Sequence, residues 1–278
     1  MAKIYAEVIG DPIAHSKSPL IHRFWLNKVG IDADYFATHV RGPELGDFLA
    51  GRRADPDWRG CNVTVPHKQA VIPLIDKVGG MAAEVGAVNT IAPRDDVGLL
   101  GMNSDVEGIV ESLPKFRTGE LKQACLIGSG GAALAALAAF RLLGVERVTL
   151  NVRNRDKGEA LLDSWRFEGC VGAVDDPDNI ANAGLIINAS TLGMAGKDAM
   201  PESLLAHVRA HPDDRAIVFD MVYAPLETDL LRAARERGLR TVDGLAMLIN
   251  QAAAAFWAFF GLPAPRQYDA ELRELLTS

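Results

Sequence analysis

Short apolar runs separated by turn residues recur along the whole chain, and their spacing predicts an α/β protein. In the N-terminal third, strands are predicted at residues 3–9, 35–40 and 61–65, followed by a hairpin of 87–92 and 99–102. A helix is predicted over 19–29, with Ser18 as its N-cap and Gly30 as its stop. Pro66 is expected to begin a short helix that carries Lys68.

After residue 105 the pattern changes to a regular alternation of strands and helices, which predicts a parallel sheet covered on both faces. The predicted strands are 124–127, 147–151, 185–188, 216–220 and 240–242, and the predicted helices are 132–143, 156–167, 202–210 and 228–237. This change predicts two domains, over 1–105 and 106–244. An apolar helix from about 245 is expected to return to the first domain, so that residues 245–278 complete it.

Composition and charge exclude several classes of partner. The 278 residues are 49% hydrophobic and carry a formal net charge of −7, which suits a globular protein with its own core. The sequence has no basic tract of the kind that binds an anionic partner, so neither nucleic acid nor a membrane is an expected partner. The apolar stretch 245–262 has the length of a membrane span, but Asn250 and Gln251 interrupt it, which favours a buried helix. The chain is expected to be a monomer or a homodimer.

The three cysteines are Cys61, Cys125 and Cys170. Their odd number and wide spacing favour a reducing compartment. Each is interpreted as a small core residue. No cluster of cysteine and histidine occurs, and no metal site is expected.

Residues 124–133 combine a strand, a glycine turn and a helix start, and they fit the pattern G-x-G-x-x-A. Gly128 permits the tight turn, Gly130 lets the backbone approach a pyrophosphate, and Ala133 keeps the helix close to the strand. The N–H groups of the helix N-terminus would face the phosphates. This context predicts a dinucleotide-binding Rossmann domain over 106–244, with an ordinary glycine turn as the alternative.

The end of the next predicted strand indicates which nicotinamide cofactor binds. An NAD site usually places Asp or Glu there, on the ribose 2′-hydroxyl. This chain has no acid at that point and instead has Arg153, Arg155 and Lys157 close together. A 2′-phosphate carries about two negative charges, and arginine can hold it with paired hydrogen bonds. The turn therefore predicts NADP, while a solvated basic turn remains the alternative for Arg155.

Four polar segments lie at predicted strand ends or helix starts, where α/β proteins bind ligands: residues 14–19, 62–68, 86–90 and 103–105. Each has a plain structural alternative. Ser18 can be only a cap, Thr64 a strand hydroxyl and Lys68 a solvated lysine. Asn89 and Asp105 can be turn formers. The paired serines of the first segment precede a helix N-terminus, which is a favourable position for a carboxylate.

With the later segments 220–225 and 243–253, these pieces resemble the signature of the shikimate dehydrogenase family, in order and over nearly the whole chain. The resemblance implies an NADP-dependent oxidoreductase that reversibly reduces 3-dehydroshikimate to shikimate. That reaction is a step of chorismate and aromatic amino acid biosynthesis in the cytoplasm. The resemblance also implies an N-terminal α/β catalytic domain that faces the Rossmann domain across a cleft.

The resemblance further implies roles for individual residues. Lys68 and Asp105 correspond to the catalytic pair, and Lys68 can donate the proton that ketone reduction needs. The implied substrate ligands are Ser16 and Ser18 for the carboxylate, Thr64, Asn89 and Gln251 for the ring hydroxyls, and Tyr223 at the pocket. The implied cofactor contacts are Gly128, Ser129, Gly130, Gly131, Ala132, Arg153, Lys157, Met221 and Gly244.

Three positions depart from the family pattern. Val152 replaces the asparagine that usually precedes the arginine of the cofactor turn, Val106 stands where glycine commonly follows the aspartate, and Leu134 replaces a polar or basic residue. These departures keep a quinate or quinate/shikimate dehydrogenase open as an alternative. The paired serines and the segment 62–68 argue against a methylenetetrahydrofolate dehydrogenase. The presence of both Lys68 and Asp105 argues against a non-catalytic NADP-binding sensor.

Overall fold

The computed structural model describes residues 3–115 and 121–277, and over these ranges the chain forms two compact units. The first unit extends to Gly108 and resumes at Ile249, and the second covers Ile109–Leu248. The chain passes between units within α4 (Ser104–Ser112) and within α9 (Gly244–Phe260). The assignment of substrate binding to one unit and cofactor binding to the other stays a prediction.

The first unit is built on a mixed six-stranded sheet with the spatial order β2-β1-β3-β5-β6-β4. Its strands are β1 (Ile4–Gly10), β2 (Ala33–His39), β3 (Trp58–Val63), β4 (Lys77–Val78), β5 (Thr90–Arg94) and β6 (Gly98–Met102). β1 pairs in parallel with β2 and β3, whereas β5 is antiparallel to both β3 and β6. The predicted hairpin is therefore present, with its turn between Arg94 and Gly98.

Besides α4 and α9, the helices of the first unit are α1 (Ser18–Val29), α2 (Leu45–Arg53), α3 (Gly80–Val85) and α10 (Asp269–Thr277). α1 ends as predicted, because Gly30 adopts a left-handed φ of 72° and donates to the carbonyl of Leu26. The predicted N-cap is wrong. Lys17 holds that position, Ser18 is already helical, and the hydroxyl of Ser16 accepts the N–H of Ser18 at 3.3 Å.

A group of aromatic side chains forms much of the core of the first unit. Trp25, Tyr35, Phe256 and Phe259 are buried, and His22 lies among them. Phe256 and Phe259 come from α9, so the apolar stretch that starts near residue 245 is a core helix, as predicted. Within the described ranges, no helix has the length and apolar character needed to cross a membrane.

The second unit contains a six-stranded sheet in which all strands run parallel. Its strands are β7 (Gln123–Ile127), β8 (Arg147–Val152), β9 (Glu168–Ala173), β10 (Leu185–Asn188), β11 (Ile217–Asp220) and β12 (Arg240–Asp243). Their spatial order is β12-β11-β10-β7-β8-β9. When β7 to β12 are numbered 1 to 6 and the sheet is read from the β9 edge, this order is 3-2-1-4-5-6, which is that of the Rossmann fold. The predicted α/β fold class is confirmed.

Four helices lie wholly in the second unit: α5 (Gly131–Leu142), α6 (Arg155–Trp165), α7 (Glu202–Arg209) and α8 (Asp229–Glu236). The pattern of apolar and polar residues predicted all four helices but did not predict β9. That strand is at the edge of the sheet and begins with three exposed residues, so it lacks a buried run. Cys170 is one of them, and its assignment to the core is wrong, whereas Cys61 and Cys125 are buried.

The segment after β3 is a series of turns and not the predicted short helix. The N–H of His67 donates to the carbonyl of Thr64 at 2.9 Å, and the N–H of Val71 donates to that of His67 at 3.0 Å. The carbonyl of Lys68 accepts the N–H of Val88 at 2.8 Å. Because this carbonyl is bonded to a distant segment, the turns do not continue as a regular helix.

Candidate active site

The polar segments that the sequence singled out meet at one edge of the sheet in the first unit. β1 and β3 are parallel, so the residues that follow them emerge at the same edge. β5 is antiparallel to β3, and β6 is antiparallel to β5, which brings the start of β5 and the end of β6 to that edge too. Residues 86–90 and 103–105 therefore lie beside 62–68.

Lys68 and Asp105 form an ion pair at this edge. The Nζ of Lys68 lies 2.6 Å from the Oδ2 of Asp105, and the side chains expose 22% and 12% of their surfaces. The backbone N–H of Asp105 donates to the Oδ1 of Asn103 at 3.0 Å, and the Nδ2 of Asn103 donates to the carbonyl of Ala87 at 3.0 Å. The backbone that carries Asp105 is thus anchored to a neighbouring segment. A cation placed this way can give a proton to an oxygen and offset its negative charge.

Two of the predicted substrate ligands, Asn89 and Gln251, lie around Ser104 at the start of α4. The backbone N–H of Ser104 donates to the Oδ1 of Asn89 at 2.7 Å, and the Nδ2 of Asn89 donates to the Oγ of Ser104 at 3.1 Å. The hydroxyl of Ser104 also contacts the Oε1 of Gln251 at 3.4 Å. Ser104 immediately precedes Asp105, so these two amides and the ion pair belong to one site.

Ser16, Ser18 and Thr64 lie at the same edge, after the parallel strands β1 and β3. Ser16 and Ser18 surround the beginning of α1, where the N-cap residue Lys17 makes no side-chain cap. Thr64 directly follows β3, and a Cβ at Gly10 would lie only 2.6 Å from the Cγ2 of Thr64. A larger residue at position 10 would therefore displace the threonine. The segment 11–18 and Thr64 thus supply hydroxyl groups beside a helix N-terminus.

The glycine loop of the second unit has the backbone geometry that a dinucleotide needs. Gly128 has a φ of +114°, and a Cβ there would lie 3.1 Å from the backbone of Ala189. At Gly130 and Gly131 a Cβ would meet nothing within 4 Å, so the space over the loop is open. Gly131 begins α5, whose N-terminus has no side-chain cap, and Ala133 is fully buried. Open space and uncapped N–H groups fit a pyrophosphate.

The basic turn after β8 divides into residues with different partners. Arg155 forms an ion pair with Glu159 at 2.8 Å, so the structural alternative holds for that arginine. Asn154 is the N-cap of α6, and its side chain accepts the N–H of Lys157 at 2.9 Å. Arg153 is exposed and lies 4.0 Å from the carboxylate of Asp198. Arg153 and Lys157 thus remain the cationic side chains available to a phosphate.

The remaining predicted ligands also belong to the second unit. A Cβ at Gly244 would lie 2.3 Å from the carbonyl oxygen of Met221, so glycine is required for the start of α9 to approach this strand end. Met221 follows β11, and its N–H donates to the carbonyl of Asn188 at 3.0 Å. Tyr223 lies two residues further on and is half-buried, and burial raises its pKa above the usual value.

The described residues contain no group of three or more side chains that could hold a metal ion. His207 and His211 are four residues apart, which is the spacing of two metal ligands on one face of a helix. The two ring nitrogens of His211 instead lie 3.1 Å and 3.2 Å from the backbone carbonyl oxygens of Asp213 and Ile180. His211 is therefore a buried histidine with a structural role, and the spacing does not indicate a metal site.

Comparison with known proteins identifies the family. A family model described as the shikimate dehydrogenase substrate binding domain matches residues 8–91. The shikimate dehydrogenase (NADP(+)) of Sphingopyxis alaskensis is 47% identical over 277 residues, which cover 100% of this chain and 98% of that protein. The chain belongs to the shikimate dehydrogenase family.

Solved structures of similar proteins agree with this membership. The shikimate 5-dehydrogenase of Thermus thermophilus, solved with NADP(H) and shikimate, has a TM-score of 0.83 at 30% identity, covering 98% of this chain and 99% of that one. The 5-ketofructose reductase of Gluconobacter sp. strain CHM43 has a TM-score of 0.87 at 26% identity, covering 99% of both chains. The same fold therefore occurs with a different carbonyl substrate, and the residues of the site must decide between them.

Several residues that hold this candidate site together were not assigned a role from the sequence. Asn62, Thr90 and Ser104 are buried and bonded to one another or to Asn89. Their only signal in the sequence is their place in the polar segments 62–68, 86–90 and 103–105. Tyr35 carried no such signal, since tyrosine is an ordinary residue in a strand.

Proposed function

We propose that this protein reduces 3-dehydroshikimate to shikimate with NADPH, reversibly, and that Lys68 and Asp105 are its catalytic pair. The observation that carries the proposal is the ion pair of 2.6 Å at the sheet edge where the polar segments meet. A chain 47% identical to a shikimate dehydrogenase (NADP(+)) over its whole length supports the same activity.

In the reduction, the oxygen of the substrate carbonyl gains negative charge and must be protonated. Lys68 supplies this proton from its ammonium group and stabilises the developing alkoxide while it does so. Asp105 orients the ammonium group through the 2.6 Å contact and can accept a hydrogen bond from a substrate hydroxyl. In the reverse direction, Lys68 accepts the proton.

The substrate is held by groups of complementary chemistry. Ser16 and Ser18 bind the carboxylate next to the N-terminus of α1, where the helix dipole favours negative charge. Thr64, Asn89 and Gln251 bind the ring hydroxyls, and Tyr223 is a further substrate ligand. The two amide side chains are supported by Ser104, so their donors are held in place before the substrate arrives.

The cofactor is NADP, and when bound it supplies the hydride. The loop Gly128, Ser129, Gly130, Gly131 and Ala132 binds the pyrophosphate through backbone N–H groups. Arg153 and Lys157 bind the 2′-phosphate. Met221 and Gly244 are further contacts of the cofactor.

The assay follows the absorbance of the reduced nicotinamide with shikimate and quinate, each with NADP and NAD. The proposal requires the highest kcat/KM for shikimate with NADP. A higher kcat/KM for quinate would instead support the quinate dehydrogenase alternative. Binding of the acids without any turnover would support a sensor.

The reaction places the enzyme in aromatic amino acid biosynthesis through chorismate, and we place it in the cytoplasm. The free thiols of the buried Cys61 and Cys125 and the exposed Cys170 agree with a reducing compartment. The enzyme acts as a monomer or a homodimer, which sedimentation of the active protein distinguishes by mass.

A further inference from the structure

Tyr35 is a buried tyrosine whose hydroxyl is tied to the candidate active site. It lies on β2 and is fully buried, and its hydroxyl donates to the Oδ1 of Asn62 at 2.6 Å. Its ring stacks on His22, with 4.0 Å between the centroids and 3° between the planes. Packing thus fixes the ring, and the hydroxyl occupies one position relative to Asn62.

From Asn62 a chain of hydrogen bonds leads to Asn89. The Nδ2 of Asn62 donates to the Oγ1 of Thr90 at 3.1 Å and to the backbone carbonyl of Asn89 at 3.3 Å. The hydroxyl of Thr90 in turn donates to the Oδ1 of Asn89 at 2.9 Å. All three residues are buried, so water does not substitute freely for these partners.

Backbone groups at both ends of this chain of hydrogen bonds fix which group donates in each bond. The N–H of Ser104 can only donate, so the oxygen of the Asn89 amide must face it. The carbonyl of Asn89 can only accept, so the nitrogen of the Asn62 amide must face that carbonyl. The Oδ1 of Asn62 then points to Tyr35, which must donate. The Nδ2 of Asn89 is left with a hydrogen beyond its bond to Ser104.

We propose that Tyr35 is a positioning residue for substrate binding, which acts through Asn62 and Thr90 on the amide of Asn89. This inference rests on the proposed function, in which Asn89 donates to a ring hydroxyl. Without the phenol, the Oδ1 of Asn62 is a buried acceptor that lacks a donor. Its amide then turns to find one and gives up its bonds to Thr90 and to the carbonyl of Asn89. Asn89 keeps its bonds to Ser104 but loses the support of the hydrogen bonds that lead from Tyr35, so the donor that meets the substrate is held less firmly.

The test is Tyr35→Phe, which keeps the ring and removes the hydroxyl. We expect the KM for shikimate to rise about tenfold, the effect of one misplaced hydrogen bond, with a smaller change in kcat and none in the KM for NADP. The matched control is Tyr5→Phe. It removes a bond of the same length, from Tyr5 to Asp55 at 2.6 Å, elsewhere in the same unit. This control is expected to keep the wild-type KM.

Thr90, in the middle of the chain of hydrogen bonds, offers a rescue experiment. Thr90→Val removes the hydroxyl and is expected to raise the KM for shikimate as Tyr35→Phe does. Thr90→Ser keeps the hydroxyl and is expected to keep the wild-type KM. If Tyr35 acts through Asn89, the penalties of Tyr35→Phe and Asn89→Ala do not add in the double variant. Additive penalties, or a wild-type KM in folded Tyr35→Phe, would overturn the proposal.

A readout independent of catalysis separates this proposal from the proposed function. The side-chain amide resonances of Asn62 and Asn89 are expected to shift in Tyr35→Phe and to stay in place in Tyr5→Phe. Unshifted Asn89 resonances overturn the role of Tyr35 even in an active enzyme. A wild-type protein that turns over no shikimate refutes the function instead, while the amide shifts still report whether Tyr35 holds Asn89.

Discussion

His22 makes the stability of the first unit dependent on pH. It is fully buried, neither ring nitrogen has a hydrogen-bond partner, and burial lowers its pKa from 6.5 to about 3. In the unfolded chain the imidazole binds a proton near pH 6.5, while in the folded protein it stays neutral down to about pH 3. The unfolded state therefore binds more protons in this window. The corresponding stability is present above pH 6.5 and is lost as the pH falls towards 3.

The magnitude follows from the size of the shift. One pKa unit corresponds to about 1.4 kcal/mol, so the full loss below pH 3 is about 5 kcal/mol. At pH 5, about 1.5 units below the unfolded value, the loss is about 2 kcal/mol. Such a loss is a large fraction of the stability of an ordinary domain.

The perturbation is His22→Phe, which can keep the stack on Tyr35 and cannot be protonated. Between pH 7.5 and pH 5, the wild type is expected to lose about 2 kcal/mol more of its free energy of unfolding than this variant. Urea unfolding followed by tryptophan fluorescence measures the difference, because Trp25, Trp58 and Trp257 all belong to the first unit. The exposed His15 provides the control His15→Asn, which is expected to follow the wild type. Equal pH dependence in His22→Phe and wild type would show that burial does not hold this imidazole neutral.

Three further predictions concern the reaction and the second unit. Lys68→Ala should lower kcat by about 10²–10⁴ with little change in KM in steady-state assays, and near-full turnover would remove Lys68 from the chemistry. Arg153→Ala should raise the KM for NADP about tenfold and leave that for NAD nearly unchanged, whereas equal effects would argue against a 2′-phosphate contact. Burial raises the pKa of Asp220 to about 6, so stability falls as the pH rises from 3.8 to 6. Asp220→Asn should abolish this loss of about 3 kcal/mol in urea unfolding followed by circular dichroism, and an unchanged loss would assign it to other groups.

The sequence predicted the elements whose signal is local. The buried strands of the second unit are largely apolar runs, and Gly128, with its φ of +114°, marks a turn that few other residues could form. The edge strand β9 gave no such signal, because an edge strand with exposed residues needs no apolar run. The turns after Pro66 were misassigned because the bond from Val88 to the carbonyl of Lys68 joins segments 20 residues apart in the sequence.

The residues proposed to react with the substrate or to bind it were easier to find than the residues that hold them. Lys68, Asp105 and Asn89 follow or precede strands, and polar residues at such points already indicate a ligand site in an α/β protein. Their supports are found only when the order of the strands is known. A lysine in a turn looks the same whether its amine meets a carboxylate or water, and only the 2.6 Å contact distinguishes the two.

Tyr35 shows why strand order matters for the site. β1 lies between β2 and β3, so the hydroxyl of Tyr35 must extend across β1 to meet Asn62. The residue of β1 paired with Tyr35 is Ala6, which is fully buried and leaves room for a ring above it. A tyrosine on β2, an alanine on β1 and an asparagine on β3 have no relation along the sequence. The packed sheet relates them, so we expect a substitution at Ala6 that fills this space to raise the KM for shikimate without contacting any of the proposed substrate ligands.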